Sequence, residues 1–175
     1  MVLRLGVWFD ALARIALHVD LQKLNPRVVW LWRFQGLLRV LMFWTPVSIG
    51  IGVGLSQVMP AILAGLLASG WFFLQLLLAL LWPGLAYRYF GYLIRDQDLL
   101  VQRGVLFRRR TSIPHNRIQH VDTRQGPLEQ LLGLSRVLVF TASGMAADGS
   151  LPGVDHGLAE TIRDELSARG GDDGV

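Results

Sequence analysis

The chain has 175 residues, 52% of them hydrophobic and 17% charged, with a formal charge of +4 and no cysteine. Disulfides and thiolate metal sites are excluded, and a mean hydropathy of +0.41 points away from an ordinary soluble domain. The isoelectric point is high, near 10.3, but much of the basic excess flanks apolar segments, so nucleic-acid binding is not expected.

Residues 1–24 mix Trp8, Phe9, Leu12, Ile15 and Val19 with Asp10, Arg14 and His18. The three-to-four spacing of the apolar members admits an amphipathic surface helix, with a loosely ordered extension as the alternative. The first 25 residues lack an apolar core followed by a small-residue cleavage site, so no cleavable signal peptide is expected. Residues 1–36 are read as an N-terminal cytoplasmic or interfacial segment.

Between Arg39 and Arg88 the chain runs 48 residues without a charge, interrupted near the middle by Pro60. That length fits two membrane crossings of about 20 residues each. The hairpin is placed at 37–83, with spans at about 37–57 and 61–82 and a turn at Gln57–Pro60. A buried hairpin in a soluble protein would carry a charged outer face, which is missing. Arg27, Arg33 and Arg39 precede the hairpin and Arg88 and Arg95 follow it, which predicts that both termini are cytoplasmic. Without a cleavable signal, the hairpin itself is expected to direct insertion.

Trp30, Trp32, Arg33, Trp82 and Arg88, with Tyr87, read as anchors at the cytoplasmic interface. Trp44 and Trp71 lie deeper and read as packing residues. Gly50 and Gly54 in the first span and Ala61, Gly65 and Ser69 in the second recur at helical spacing, which predicts close packing within the hairpin. Pro46 is expected to kink the first span unless neighbouring groups satisfy the freed carbonyl.

After Tyr87 the pattern changes to short β-prone runs separated by turns. Strands are expected in YRYFGYLIR, LLVQRGVLF, FRRRTSIP and RVLVFTAS, with a last short one at LPGV. Gly104 suits a bulge or turn, and Pro114 ends its strand or marks an edge. The stretch from His115 to Leu134 reads as turn-rich, with Gly126-Pro127 as a turn and Leu128, Leu131, Leu132 and Leu134 as core. In the tail, Leu158, Ile162 and Leu166 share a helical face, with Asp155 as its N-cap. These elements predict a curled antiparallel sheet closed by a C-terminal helix, and hence an α+β membrane protein.

The run IPHNRIQHVDTRQGPLEQLLGL, within Tyr87–Gly144, resembles the hallmark of the bacterial pleckstrin-homology-like (PH-like) domain family. The chain as a whole resembles its YdbS-like membrane proteins, in which two membrane helices precede one such domain. LNPRVVWLWRFQGLL resembles their pre-membrane segment. The resemblance covers roughly residues 24–166 and implies a small PH-like antiparallel β-barrel or sandwich with a C-terminal helix. That domain is placed at 87–169, with 170–175 as a flexible tail. The resemblance carries no catalytic residues and no cofactor, and it implies a bacterial, multi-pass protein of the cytoplasmic membrane with its PH-like domain inside the cell.

Within residues 87–136 nine arginines face four acids, whereas residues 137–175 hold two arginines and seven acids. The domain is therefore neutral but polarised. Arg108, Arg110, Arg117 and Arg124 are the candidates for contact with a partner or a headgroup. Only two of Arg108, Arg109 and Arg110 can share a strand face. Ordinary solvation of that face, with Arg109 buried along its stem, is the competing reading. Arg117 is expected to hold its loop in shape by bonding carbonyls or by pairing with Asp122.

His115 and His120 lack a third ligand at a recognisable spacing, so no metal site is expected. No nucleophile elbow, phosphate loop or carboxylate dyad is present, so the chain is not expected to be an enzyme. The expected function is membrane-anchored binding or scaffolding: assembly with itself or with another PH-like-domain membrane protein. The alternative is recognition of anionic headgroups at the cytoplasmic face.

Overall fold

A computed structural model describes residues 21–142 and 147–171. The proposed helix within residues 1–24 falls almost wholly outside them, as do residues 143–146 and the end of the tail, 172–175. The architecture is α+β: two long apolar helices, two antiparallel three-stranded sheets and a C-terminal helix.

Helix α1 (Arg27–Leu55) is continuous across the pre-membrane segment and the first span. Its middle, Val40–Trp44, is a single π-helical stretch. Pro46 explains it, because proline offers no N–H to the helix and crowds the turn before it. The Thr45 N–H reaches back five residues to the Val40 carbonyl, which also accepts from Thr45 Oγ1 at 3.0 Å. Ser48 Oγ donates to the Trp44 carbonyl at 2.7 Å. These bonds engage the carbonyls of Val40 and Trp44 in the turn before Pro46.

Helix α2 (Ala61–Tyr89) has 29 residues and is about 44 Å long at 1.5 Å per residue. A hydrocarbon core of about 30 Å takes up about 20 of them, so the helix leaves the membrane near Trp82 and continues as a stalk through Pro83. The expected spans 37–57 and 61–82 are thus the apolar portions of two longer helices.

The helices do pack closely, but through other residues than the expected row. A Cβ on Gly36 would sit 3.2 Å from Ala79 Cβ, and one on Gly52 would sit 3.2 Å from Ala68 Cβ. Ala64 and Ser48 are buried between the helices. A Cβ on Gly50, Gly54 or Gly65 would meet nothing, and Ala61 and Ser69 are exposed. Trp44 and Trp71 meet edge to face with centroids 5.7 Å apart, as packing residues do.

The first sheet holds β1 (Gly91–Ile94), β2 (Asp98–Arg103) and β3 (Arg109–Pro114) in that order. A 3₁₀ turn, His115–Arg117, leads into the second sheet of β4 (Ile118–Arg124), β5 (Leu134–Thr141) and β6 (Gly149–Asp155). A short helix α3 (Pro127–Leu131) joins β4 to β5, and α4 (His156–Gly171) packs mainly on β4 and β5. The turn-rich reading of residues 118–124 is corrected: they form a strand. A bulge between Ile118 and His120 breaks the two-residue alternation that would have revealed it. On α4, Ala159, Ile162 and Leu166 are buried while Leu158 is 45% exposed, so Ala159 takes the place expected of Leu158. Gly170 and Gly171, expected in the tail, belong to the last turn of α4.

The start of α1 is built into the domain. Leu24, Val28 and Leu31 are buried in the same core as Tyr92, Leu134, Val137 and Leu151. Gln22 pairs antiparallel with Tyr92, extending the first sheet beyond β1, and the Asn25 N–H donates to the Gly153 carbonyl at 3.1 Å. Lys23 Nζ donates to the carbonyls of Arg88 at 2.9 Å and Phe90 at 3.0 Å. Tyr87 donates its hydroxyl to the Leu24 carbonyl at 3.1 Å. Hairpin and domain are therefore joined at both helices, and residues 87–169 alone lack part of their own core.

Candidate functional site

The register of the first sheet decides which arginines gather. Gly91 at the end of α2 lies opposite Gln102, so β2 returns to the membrane end of the domain. There Gly104, at φ +109°, turns the chain; a Cβ would lie 1.9 Å from the Phe107 carbonyl oxygen, so only glycine closes this turn. Strand β3 then begins with Arg109 opposite Arg103 and Arg110 opposite Gln102. Arg110 Nε donates to Gln102 Oε1 at 2.8 Å. Arg108 lies over the ring of Tyr89, 5.1 Å from its centroid, which ties the turn to the stalk of α2. Arg103, Gly104 and Val105 face Trp32, Trp82 and Ala86 across a cavity of about 270 Å³.

Arg103, Arg108, Arg109 and Arg110 therefore lie together at the membrane end. Arg117 and Arg124 do not join them. The six residues of β3 carry the chain about 20 Å from Arg109 before the 3₁₀ turn holding Arg117. Arg124 ends β4 opposite Arg136, which pairs with Pro152 of the cavity beside Trp82, so β4 runs back from the 3₁₀ turn in the other sheet. Arg117 does not pair with Asp122, whose carboxylate accepts from Arg124 at 3.4 Å. The sequence reading singled out Arg108 and Arg110 but not Arg103 or Tyr89. Their nearness follows from sheet register, for which the sequence carries no local signal.

Most other arginines of the domain are paired: Arg95 with Asp98, Arg124 with Asp122, Arg136 with Glu129, Arg163 with Glu160 and Asp164, and Arg169 with Glu165. Among the described residues, Arg103, Arg108, Arg109 and Arg110 have no carboxylate within ion-pair distance, and neither do Arg27, Arg33, Arg39 and Arg88 beside the helices. Arg117 is the exception at the far end. The two arginines of the second half, Arg163 and Arg169, are both paired along α4, with Glu160, Asp164 and Glu165.

The anchors are split in their environments. Trp30 is 66% exposed, with the Arg33 guanidinium 5.4 Å from its ring centroid, and Arg33 Nε donates to the Leu80 carbonyl at 3.1 Å. Trp82 is exposed, Trp32 is half-buried against the domain core, and Arg88 is exposed. A second cavity of about 380 Å³ opens between α1 and α2, lined by Gln35, Arg39 and Gln75 among Trp32, Trp44 and Trp82.

His115 is buried, and its Nε2 bonds the Arg95 carbonyl at 2.8 Å. Arg169 donates to that same carbonyl at 2.8 Å. His120 instead stacks on Phe140, with centroids 4.3 Å apart. The two histidines do not converge, and the described residues hold no cluster of three metal-ligating side chains.

Glu129, which the sequence reading passed over, organises the Gly-Pro-Leu stretch. It is 7% exposed; it accepts from the Gly126 N–H at 2.7 Å and from Arg136 Nη2 at 3.1 Å. An acid that reaches back to the N-cap N–H is the glutamate half of a capping box, and glycine has no side chain to supply the other half. Tyr92, almost wholly enclosed, has its phenol pushed above the ordinary range by burial and, secondarily, by the Asp155 carboxylate.

Comparison with known proteins bears on this arrangement. The chain is 30% identical over 118 residues to YdbS, a transmembrane protein of Bacillus subtilis strain 168, covering 66% of this chain and 72% of YdbS. No solved structure matches. The bacterial PH domain family matches residues 37–170, a stretch that takes in both membrane helices as well as the sheets and α4. A transmembrane hairpin fused to two antiparallel sheets and a closing helix places this chain in the bacterial PH domain family, among YdbS-like membrane proteins.

Proposed function

We propose that this protein is a binding module rather than a catalyst, which holds its PH-like domain against the cytoplasmic face of the membrane and engages anionic headgroups there. One observation carries the reading: Arg103, Arg108, Arg109 and Arg110, gathered beside the stalk of α2, have no carboxylate partner, while most other arginines of the domain are paired. Each basic group close to an anionic leaflet is worth about 1 kcal/mol, so Arg103, Arg108, Arg109 and Arg110 together contribute about 4 kcal/mol, weakened by salt.

The test uses the full chain, because the domain core includes Leu24, Val28 and Leu31. Reconstituted in mixed phosphatidylglycerol and phosphatidylcholine, then extracted mildly, the protein should retain phosphatidylglycerol in excess by native mass spectrometry. Replacing the four arginines by glutamine should abolish that excess; an unchanged excess would overturn the reading. The orientation is tested separately. A cysteine replacing Gln57 should react with an impermeant maleimide from outside the cell, and one replacing Asn116 should not.

Assembly with a second copy, or with another PH-like-domain membrane protein, is the second reading. It is favoured by Arg117, exposed and without a carboxylate partner at the end away from the hairpin. Arg117→Glu should then remove crosslinks formed in native membranes while leaving lipid retention unchanged.

A further inference from the structure

The turn between β2 and β3 carries two apolar side chains that stand largely exposed among the described residues. Phe107 is 90% exposed and Leu106 is 77% exposed. Elsewhere outside the hairpin, Leu131 on α3 is the only described large hydrophobic residue as exposed as these. A solvated turn is ordinarily built from small or polar residues, and this one is Gly-Val-Leu-Phe-Arg.

The direction of this turn is fixed by three contacts. Gln102 is level with Gly91, just beyond the end of α2. From there the chain runs back along the stalk, so that Arg103, Gly104 and Val105 share a cavity with Ala86 and Trp82. Trp82 is eight residues before Phe90, about 12 Å down the helix toward the bilayer. Arg108 over Tyr89 holds the returning limb against the same stalk. The tip therefore projects toward the level at which α2 enters the hydrocarbon.

We propose that Leu106 and Phe107 form a wedge that inserts into the boundary between headgroups and acyl chains, as a third point of membrane contact beside the two helices. The occupant of this apolar tip is the bilayer because the tip continues the lipid-facing surface already exposed by Trp82 and Leu85. Arg103, Arg108, Arg109 and Arg110 surround it as a collar at headgroup height, the arrangement expected of an interfacial element with apolar residues below and arginines above. The domain is thereby held at three points and cannot rotate freely about its stalk. The wedge does not depend on headgroup selectivity: apolar insertion proceeds in neutral lipid as well.

The experiment places a nitroxide on a single cysteine at 107 in the full chain, reconstituted in neutral and in anionic vesicles. A label at 116, on the far 3₁₀ turn, serves as the aqueous reference. Collision with oxygen relative to a water-soluble nickel chelate should be several-fold higher at 107 than at 116 in both lipids. The same label at 106 should lose that excess when Phe107→Asp is introduced, which separates insertion by the native side chains from insertion by the probe. Equal accessibility at 107 and 116 in both lipids, or an excess at 106 that survives Phe107→Asp, overturns the wedge. Failure of headgroup engagement would read differently: phosphatidylglycerol retention is lost while the neutral-lipid label still reports burial.

Discussion

Gly153→Ala offers a test of whether the pre-membrane segment is clamped into the domain. Gly153 sits at φ +73°, and a Cβ there would lie 2.2 Å from Val28 Cγ2 and 2.5 Å from Val28 Cβ. Two costs combine. A left-handed alanine costs about 1 kcal/mol relative to glycine, and forcing a methyl into the packed Val28 site costs about 1–3 kcal/mol. The sum, about 2–4 kcal/mol, falls on the joint made by Gln22, Asn25 and Val28. At about 1.4 kcal/mol per tenfold, protection of the Tyr92 amide, which donates to the Gln22 carbonyl at 3.0 Å, should fall about 30- to 700-fold. Hydrogen exchange on the full chain in nanodiscs reads this directly.

The control is a double-mutant cycle with Val28→Ala. On its own, that change costs about 1–3 kcal/mol for two buried methyl groups. Combined with Gly153→Ala it should relieve the contact with Val28 Cγ2 but not the one with Cβ at 2.5 Å, so the pair should cost less than the sum of the singles while keeping part of the clash. Strict additivity, or unchanged protection of Tyr92 in Gly153→Ala, would show that the segment is not seated as described.

Within the hairpin, Gly36→Val should weaken helix association, since its side chain meets the Ala79 carbonyl oxygen at 3.3 Å; Gly65→Val, facing open space, should not, and thermal aggregation in detergent compares the two. Glu129→Ala removes two charge-assisted hydrogen bonds at about 1.5–3 kcal/mol each. It should lower the domain's melting temperature, and Glu129→Gln should recover part of the loss. Stability should also fall at alkaline pH. Because the Tyr92 phenol is raised in the folded state, the folded chain holds its proton more tightly than the unfolded chain. Its contribution is complete below the unfolded phenol value of about 10 and is lost as pH rises through the folded one. Tyr92→Phe should flatten that decline in a denaturation series from pH 9 to 11.

The sequence by itself determined the membrane hairpin, its turn at Gln57–Pro60 and the order of most strands. Those features rest on local properties: an unbroken apolar run, turn residues, and alternation along one strand. The family motif was legible for the same reason, and with it the PH-like fold. Strand β4 escaped because its bulge shifts the alternation by one residue within a single turn of the chain. The glycines that seat the two helices, Gly36 and Gly52, could not be told from Gly50 and Gly54, because which helix face meets its partner depends on crossing geometry and on the π-helical stretch before Pro46. Two further features were decided only by tertiary structure. One is the burial of Leu24, Val28 and Leu31 in a domain that begins more than fifty residues later. The other is the gathering of Arg103, Arg108, Arg109 and Arg110 beside Tyr89 and Trp82. Both follow from pairings between residues distant in the chain, and no propensity of a single residue or segment encodes which distant partner it will meet.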